Sequence, residues 1–246
     1  MKIGIIGSGN VGKALAASAT KAGHTVKIAA RDPQHAEDAA RATNAQAAES
    51  NQDAVKEADL IVLAVPADKV DEVVDALTPD LDGKVVIDVT NRVDVKDPGK
   101  VLDGSSTAER IQKNAPKSHV VKAFNYAFAS KMSDPNIDGE NLDAYIAGDH
   151  EPSKQKALQF AQSIGFRPID AGPLAMARVL EGMGLLNVLL QIKHNWPLAE
   201  RLEARRADRR QEILGRGRLR SGVPADGIVE RPQAIDSNVN GVAFGE

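Results

Sequence analysis

Six consecutive residues near the start of the chain have the composition and spacing of a phosphate-binding turn. The segment Gly7-Ser8-Gly9-Asn10-Val11-Gly12 matches G-x-G-x-x-G and follows a short apolar run at residues 3–6. In such a turn the first glycine permits a tight bend, the second lets the backbone approach a pyrophosphate, and the third lets a helix pack against a strand. The helix N-terminus then offers free N–H groups and a partial positive charge to the phosphates. The motif predicts a dinucleotide site.

The residues that follow the second predicted strand indicate which dinucleotide is bound. In NAD sites an Asp or Glu at this position binds the ribose 2′-hydroxyl, whereas this chain has Ala30 followed by Arg31. A guanidinium here can neutralise a 2′-phosphate. We expect the next residue, Asp32, to act as a helix N-cap before Pro33, so that its carboxylate accepts N–H bonds from its own helix. The sequence therefore favours NADP over NAD.

Three short segments at the ends of further predicted strands are candidates for the nicotinamide side of the site. They are Ala64-Val65-Pro66, Asp88-Val89-Thr90-Asn91 and Ala123-Phe124-Asn125. Ligands of open α/β sheets bind beyond the carboxyl ends of the strands, where these segments lie. The amides of Asn91 and Asn125 can donate to and accept from a carboxamide or a second ligand. Turn formation is the alternative role for both residues, because Asn also favours bends.

The elements that must position these residues alternate between short apolar runs and helical stretches. Strands are predicted at residues 3–6, 25–29, 60–64, 85–89, 119–123, 144–147 and 167–170, and helices at 11–21, 33–43, 68–77, 153–164 and 173–192. This alternation predicts a Rossmann-like, doubly wound and mostly parallel α/β sheet, with a small C-terminal α/β part and a long C-terminal helix. Residues 94–106 show no periodicity and are predicted to form a long loop, either functional or a plain surface excursion.

The composition excludes several classes of site. There is no cysteine, and therefore no thiolate nucleophile, disulfide or cysteine-based metal centre. The five histidines are scattered without metal-ligand spacing, so no metal site is expected. The net charge of −3 and 3% aromatic content favour neither a nucleic acid nor a membrane as partner. No signal peptide or transmembrane helix is indicated, which predicts a cytoplasmic protein. No pair of residues stands out for proton transfer.

These segments, together with residues 165–174, occur in the order seen in coenzyme F420-dependent NADP oxidoreductases, which the chain resembles over roughly residues 1–192. The resemblance implies that hydride passes directly between the nicotinamide and a deazaflavin, coenzyme F420, or a flavin-type acceptor, with no catalytic residue strictly needed. It also implies roles for individual residues. Ser8, Gly9, Asn10 and Val11 would line the NADP phosphates, Arg31 would bind the 2′-phosphate, Ala64, Val65 and Pro66 would flank the nicotinamide, and Asn91 and Asn125 would flank the reactive cleft. We expect Asn91 to contact the cofactor as well as the substrate cleft, and Phe124 to line the substrate cleft beside Asn125.

Two departures from the family pattern accompany this resemblance. Ala30 stands where the deazaflavin enzymes often have a hydroxyl residue, which removes one expected phosphate contact, and the chain continues for some fifty residues beyond the long helix. Two other functions remain open. An imine or hydroxyacid reductase of the 6-phosphogluconate dehydrogenase-like type would need a larger helical domain, and a non-catalytic NADP(H) sensor would use the C-terminal extension to contact a partner.

The basic residues divide the chain unevenly. All sixteen lysines lie at or before Lys193, whereas nine of the fifteen arginines lie from Arg201 onward. We predict an NADP-binding domain at residues 1–123 and a smaller part at 124–199 that completes the substrate cleft. An arginine-rich extension at 200–246, partly disordered and dispensable for cofactor binding, would follow. The long apolar helix is expected to form a homodimer through the segment from Leu174 to Ile192.

Overall fold

Eight strands form one twisted sheet in the computed structural model, which describes residues 1–94, 96–137 and 139–194. The strands of the described residues are β1 (Lys2–Ile6), β2 (Thr25–Ala29), β3 (Gln46–Ala47), β4 (Leu60–Leu63), β5 (Val85–Asp88), β6 (His119–Lys122), β7 (Asn136–Ile137), β8 (Glu140–Asn141), β9 (Asp143–Gly148) and β10 (Arg167–Gly172). The sheet order is β3-β2-β1-β4-β5-β6-β9-β10, and β7 and β8 form a separate hairpin.

The first six strands run parallel, which places their carboxyl ends at one edge of the sheet. Strands β9 and β10 are parallel to each other and antiparallel to β6. The chain leaves β1 toward β2 and β3 and then returns to place β4 on the other side of β1. The topological switch point, where ligands bind in such sheets, therefore lies between β1 and β4. The predicted mostly parallel Rossmann-like fold is confirmed.

Helices cover both faces of the sheet and bury its apolar strands. The helices of the described residues are α1 (Asn10–Lys21), α2 (Pro33–Thr43), α3 (Asn51–Lys56), α4 (Val70–Leu77), α5 (Pro98–Leu102), α6 (Thr107–Asn114), α7 (Ala129–Met132), α8 (Glu151–Ser163) and α9 (Ala177–His194). Every residue of β4 and β5 is buried, because helices pack on each side. The extension predicted at residues 200–246 lies outside the described residues.

Several short elements were not predicted from periodicity. Helix α5 lies inside the segment predicted as a loop, and it begins at Pro98, a residue well suited to the first helical position. Helix α6 begins after a capping box in which Ser106 and Glu109 bond each other's backbone N–H groups. The segments are too short to show a full apolar stripe, and tertiary packing fixes them instead. The capping box was the one sequence signature that could have predicted α6.

Helix α9 buries three polar side chains and exposes some of its large apolar ones. Its side chains Glu181, Asn187 and Gln191 are buried, whereas Leu186 and Ile192 are more than half exposed. By length and composition the segment Leu174–His194 could span a membrane, because an 18-residue window in it has a mean hydropathy of 1.3; 39% of that window is buried. The core helix of a soluble protein, which is mostly buried, passes the same test of length and composition, so one such helix is weak evidence of a membrane span. The absence of a membrane helix therefore stays a prediction.

Candidate active site

A cleft of about 790 Å³ lies at the switch point, beyond the carboxyl ends of β1, β2 and β4. Seven residues predicted from the sequence line it: Gly7, Ser8, Gly9, Arg31, Ala64, Val65 and Pro66. Five polar residues that sequence reasoning did not select also line it, namely His35, Asn51, Asp68, Lys69 and Glu72. They come from the first turns of α2, α3 and α4 and from the turn before α4, and only the folding of these segments toward one cleft brings them together.

The glycine turn has the geometry that its motif requires. Gly7 has φ +113°, and a Cβ there would overlap the carbonyl oxygen of Ala64, so the bend between β1 and α1 needs glycine. A Cβ at Gly12 would overlap the carbonyl oxygen of Gly7, so its absence lets α1 pack against the strand end. Gly9 differs, because nothing lies within 4 Å of a Cβ built there. Gly9 therefore leaves an open approach from the cleft to the backbone.

The first turn of α1 is open to an anion. Its N-cap residue is Gly9, no side chain caps the helix, and no acidic residue lies in the first turn. Asn10 is exposed and Val11 is half-buried, so both backbone N–H groups lie near the surface. Free N–H groups and the helix dipole favour a bound phosphate at this position. The open turn and the missing Cβ at Gly9 both fit the pyrophosphate of a dinucleotide.

Arg31 is the cation of the cleft that has no hydrogen bond or ion pair within the described residues, and it is exposed. Its neighbour Asp32 caps α2, because its carboxylate accepts a hydrogen bond of 2.9 Å from the backbone N–H of Gln34. The predicted N-cap role of Asp32 is confirmed. Lys69, the other strong cation of the cleft, lies 3.9 Å from Glu72. The guanidinium of Arg31 is thus available for a phosphate, as a 2′-phosphate would require.

Asn91 and Asn125 are brought together at the ends of β5 and β6, but neither is among the residues that line the 790 Å³ cleft. Asn125 Nδ2 donates to Asn91 Oδ1 at 3.1 Å and to the carbonyl oxygen of Leu180 at 2.7 Å. Asn91 Nδ2 donates in turn to the backbone carbonyl oxygen of Asn125. Asn91 is half-buried and Asn125 is 4% exposed. Most of the hydrogen-bonding capacity of the pair is therefore used inside the protein.

Phe124 was predicted to line the substrate cleft, and the structure places its side chain in the core. It is 2% exposed and makes edge-to-face contacts with Phe160 and Phe166 at centroid distances of 5.9 and 5.3 Å. Its backbone has φ +60°, which is rare outside glycine and costs of order 1 kcal/mol. A cleft contact from this position would have to come from the backbone, since the ring faces away from solvent.

A buried cluster of charges lies beside the two asparagines. Lys122 Nζ is 2.8 Å from Asp88 Oδ2, 3.1 Å from Glu181 Oε1 and 2.6 Å from the carbonyl oxygen of Thr90. Glu181 also accepts from Arg92 Nε at 2.8 Å. Two cations and two carboxylates balance each other, as burial demands. Sequence reasoning missed this cluster because its members are separated by up to 93 positions in the chain, from Asp88 to Glu181.

Comparisons with known proteins show the family of the chain. Residues 2–92 match the family described as NADP oxidoreductase, coenzyme F420-dependent. The F420-dependent NADP reductase of Methanothermobacter marburgensis is 34% identical over 220 residues, which cover 79% of this chain and 94% of that protein. This chain belongs to the family of F420-dependent NADP reductases. It is accordingly an NADP-dependent oxidoreductase, and the ligands of its family are NADP(H) and coenzyme F420.

Other known proteins are similar to this chain to different extents. A crystal structure from Arthrobacter sp. FB24, described as a candidate F420-dependent NADP reductase, is 26% identical with a TM-score of 0.71, over 79% of this chain and 95% of that one. Metalloreductase STEAP3 of Rattus norvegicus is 30% identical over 184 residues. The match covers 75% of this chain and 36% of the metalloreductase, so the chain spans about a third of that relative. Imine reductases at 16–17% identity share the fold alone.

Proposed function

We propose that this protein transfers a hydride directly between NADPH and a deazaflavin, coenzyme F420, or a flavin-type acceptor. The observation that carries the NADP half is Arg31, a cleft guanidinium without a partner in the described residues, next to an open glycine turn. The deazaflavin half is supported by relatives that are named F420-dependent NADP reductases and that match this chain over most of their length.

In this proposal different residues of the cleft bind different parts of the cofactor. The backbone from Ser8 to Val11 holds the pyrophosphate, and Arg31 holds the 2′-phosphate. Ala64, Val65 and Pro66 give the nicotinamide an apolar wall that excludes water from one side of the ring. NADPH supplies the hydride when it is bound. The protein's contribution is to fix the distance and angle between the two rings, which requires no acid or base at the strand ends.

The decisive experiment follows the visible absorbance of oxidised F420 while NADPH is added to the purified protein. Loss of the F420 band at a rate that depends on enzyme concentration supports the proposal, and NADH should be much less effective. Turnover of a cyclic imine but not of F420 or a flavin would favour the imine reductase alternative. Tight NADPH binding without turnover of any of these acceptors would favour the NADP(H) sensor.

We also propose that the protein is a homodimer that pairs through the segment from Leu174 to Ile192. Val179, Leu186 and Ile192 are 51%, 53% and 60% exposed. Exposed apolar surface of this kind on one helix is typical of an interaction site. Light scattering should give twice the chain mass. Leu186→Glu should give the monomer, because a buried unpaired carboxylate opposes pairing. A monomeric wild-type protein would contradict the proposal.

A further inference from the structure

Two glycines of α9 face different surroundings. A Cβ built at Gly184 would lie 2.7 Å from Asn91 Oδ1 and 3.3 Å from Asn125 Nδ2. A Cβ built at Gly182 would meet Leu102 Cδ2 at 3.1 Å. The first neighbour is an amide fixed by hydrogen bonds, and the second is the end of a side chain that is 59% exposed. Only the first substitution forces a fixed polar group to move.

Helix α9 touches the asparagine pair at two successive turns. The carbonyl oxygen of Leu180 accepts the 2.7 Å hydrogen bond from Asn125 Nδ2, and Gly184, four residues later on the same face, lies against Asn91. The helix cannot move outward freely to relieve a clash at Gly184. Glu181, next to Leu180, is 1% exposed and is bonded to Lys122, Arg92 and the backbone N–H of Thr107. The asparagine pair would have to give way instead.

We propose that Gly184 is a positioning residue: the missing side chain lets α9 pack against Asn91 and Asn125 and sets the place of both amides beyond the carboxyl ends of β5 and β6, where the acceptor would enter. The pair follows the carboxyl ends of β5 and β6, the edge where ligands of such sheets bind. The proposal rests on the proposed function, because the two amides can position an acceptor only if a second ligand binds beside them. Gly184 itself touches no ligand and acts through Asn91.

The test compares Gly184→Ala with Gly182→Ala, its matched control. Both replace a glycine of the same helix by alanine, so both gain the same intrinsic helix propensity. We expect Gly184→Ala to reduce kcat/KM for F420 about ten- to a hundredfold, since small misplacements of reacting groups have effects of this order. Its dissociation constant for NADPH, measured by nicotinamide fluorescence, should match that of the control. Its dissociation constant for oxidised F420 in the presence of NADP+ should rise.

A double-mutant cycle with Asn91→Ala tests whether the effect passes through Asn91. If it does, Gly184→Ala should cause almost no additional loss once the side chain of Asn91 is absent. The double variant also lacks the closest overlap, so it serves as the test if Gly184→Ala alone does not fold. Matching values for the double variant and Asn91→Ala support the proposal in either case. If adding Gly184→Ala to Asn91→Ala reduces kcat/KM by the same factor as Gly184→Ala does in the wild type, the proposal is overturned.

The two proposals fail in different ways. A wild-type protein that neither binds nor reduces F420 overturns the proposed function and this inference with it. A wild-type protein that is active, with Gly184→Ala and Gly182→Ala indistinguishable in F420 binding and turnover, overturns only the positioning role of Gly184. Equal weakening of NADPH and F420 by Gly184→Ala also overturns it, because a general disturbance of the fold would have that effect.

Discussion

Lys122 and Asp88 form an ion pair of 2.8 Å in which neither side chain is exposed to solvent. The pair joins neighbouring parallel strands at their carboxyl ends, and Glu181 extends it to α9. A buried pair of this kind contributes little compared with an apolar core, but the loss of one partner leaves the other charge uncompensated. The cluster therefore couples the docking of α9 on the sheet to the compensation of buried charge at the ends of β5 and β6.

Replacement of Lys122 should destabilise the protein strongly. We expect Lys122→Met to lower the free energy of unfolding by about 3–5 kcal/mol, because Asp88 and part of Glu181 are left buried without their cation. Urea unfolding followed by circular dichroism measures the change. Lys117→Met is the control, since the Lys117–Asp82 pair lies on the surface, and its midpoint should stay close to that of the wild type. Equal midpoints for the two variants would contradict this interpretation of the cluster.

Replacement of Arg31 should change cofactor preference. Arg31→Ala is expected to raise the dissociation constant for NADPH by about ten- to a hundredfold, the range of a lost charged hydrogen bond. The affinity for NADH, which has no 2′-phosphate, should change much less. Fluorescence titration with each cofactor gives both constants. Arg41→Ala is the control, because Arg41 lies in α2 and is not among the residues that line the cleft. Equal losses for both cofactors would rule out the assigned role of Arg31.

The glycines of the turn should separate folding from binding. Gly12→Ala is expected to destabilise the protein by about 1–3 kcal/mol or more, because the added Cβ overlaps the carbonyl oxygen of Gly7. Gly9→Ala should fold like the wild type, since the space around it is empty, yet it should bind NADPH more weakly. Thermal unfolding and cofactor titration on the two variants test this. Gly9→Ala with unchanged NADPH affinity would show that the pyrophosphate does not approach at Gly9.

Glu109 should contribute to stability in a pH-dependent way. The guanidinium of Arg178, bonded at 2.9 and 2.7 Å, together with the backbone N–H and hydroxyl of Ser106, lowers the pKa of Glu109 from 4.5 to about 2. A lowered pKa in the folded state stabilises the protein above pH 4.5, and this contribution disappears as the pH falls toward 2. Glu109→Gln should thus lose stability at neutral pH and show a smaller further decrease on acidification.

Urea unfolding at several pH values between neutral pH and about pH 3 measures this difference. Glu37→Gln, at an exposed position of α2, is the matched control and should follow the wild-type curve. Parallel curves for wild type and Glu109→Gln across the acidic range would show that the Arg178 contact does not stabilise the folded protein.

Local rules predicted the parts of the site that lie close together in the chain. The spacing of Gly7, Gly9 and Gly12 predicted the turn because the positive φ of Gly7 and the close approach of Gly12 to the carbonyl oxygen of Gly7 are both set within six residues. Asp32 and Pro33 likewise predicted the start of α2 from capping chemistry alone. Arg31 was predicted because its place follows directly from the end of β2. These features depend on backbone geometry that short sequences fix.

The remaining features required distant segments to meet. The sequence shows Phe124 at the end of a strand, but only the packing of Phe160 and Phe166 decides that its ring enters the core. It shows Asn91 and Asn125 as strand-end amides, but only the contact with α9 decides that they bond to each other.

What the sequence by itself determined is the succession of the longer strands and helices, the dinucleotide turn and the preference for NADP, because periodicity, glycine spacing and charge at a strand end are local properties. What only the tertiary structure decided is the arrangement of side chains around the ends of β5 and β6. There α9 brings Glu181 to Lys122 and Gly184 to Asn91, across gaps of 59 and 93 positions. Such pairings depend on burial and shape complementarity between surfaces that exist only after the chain has folded.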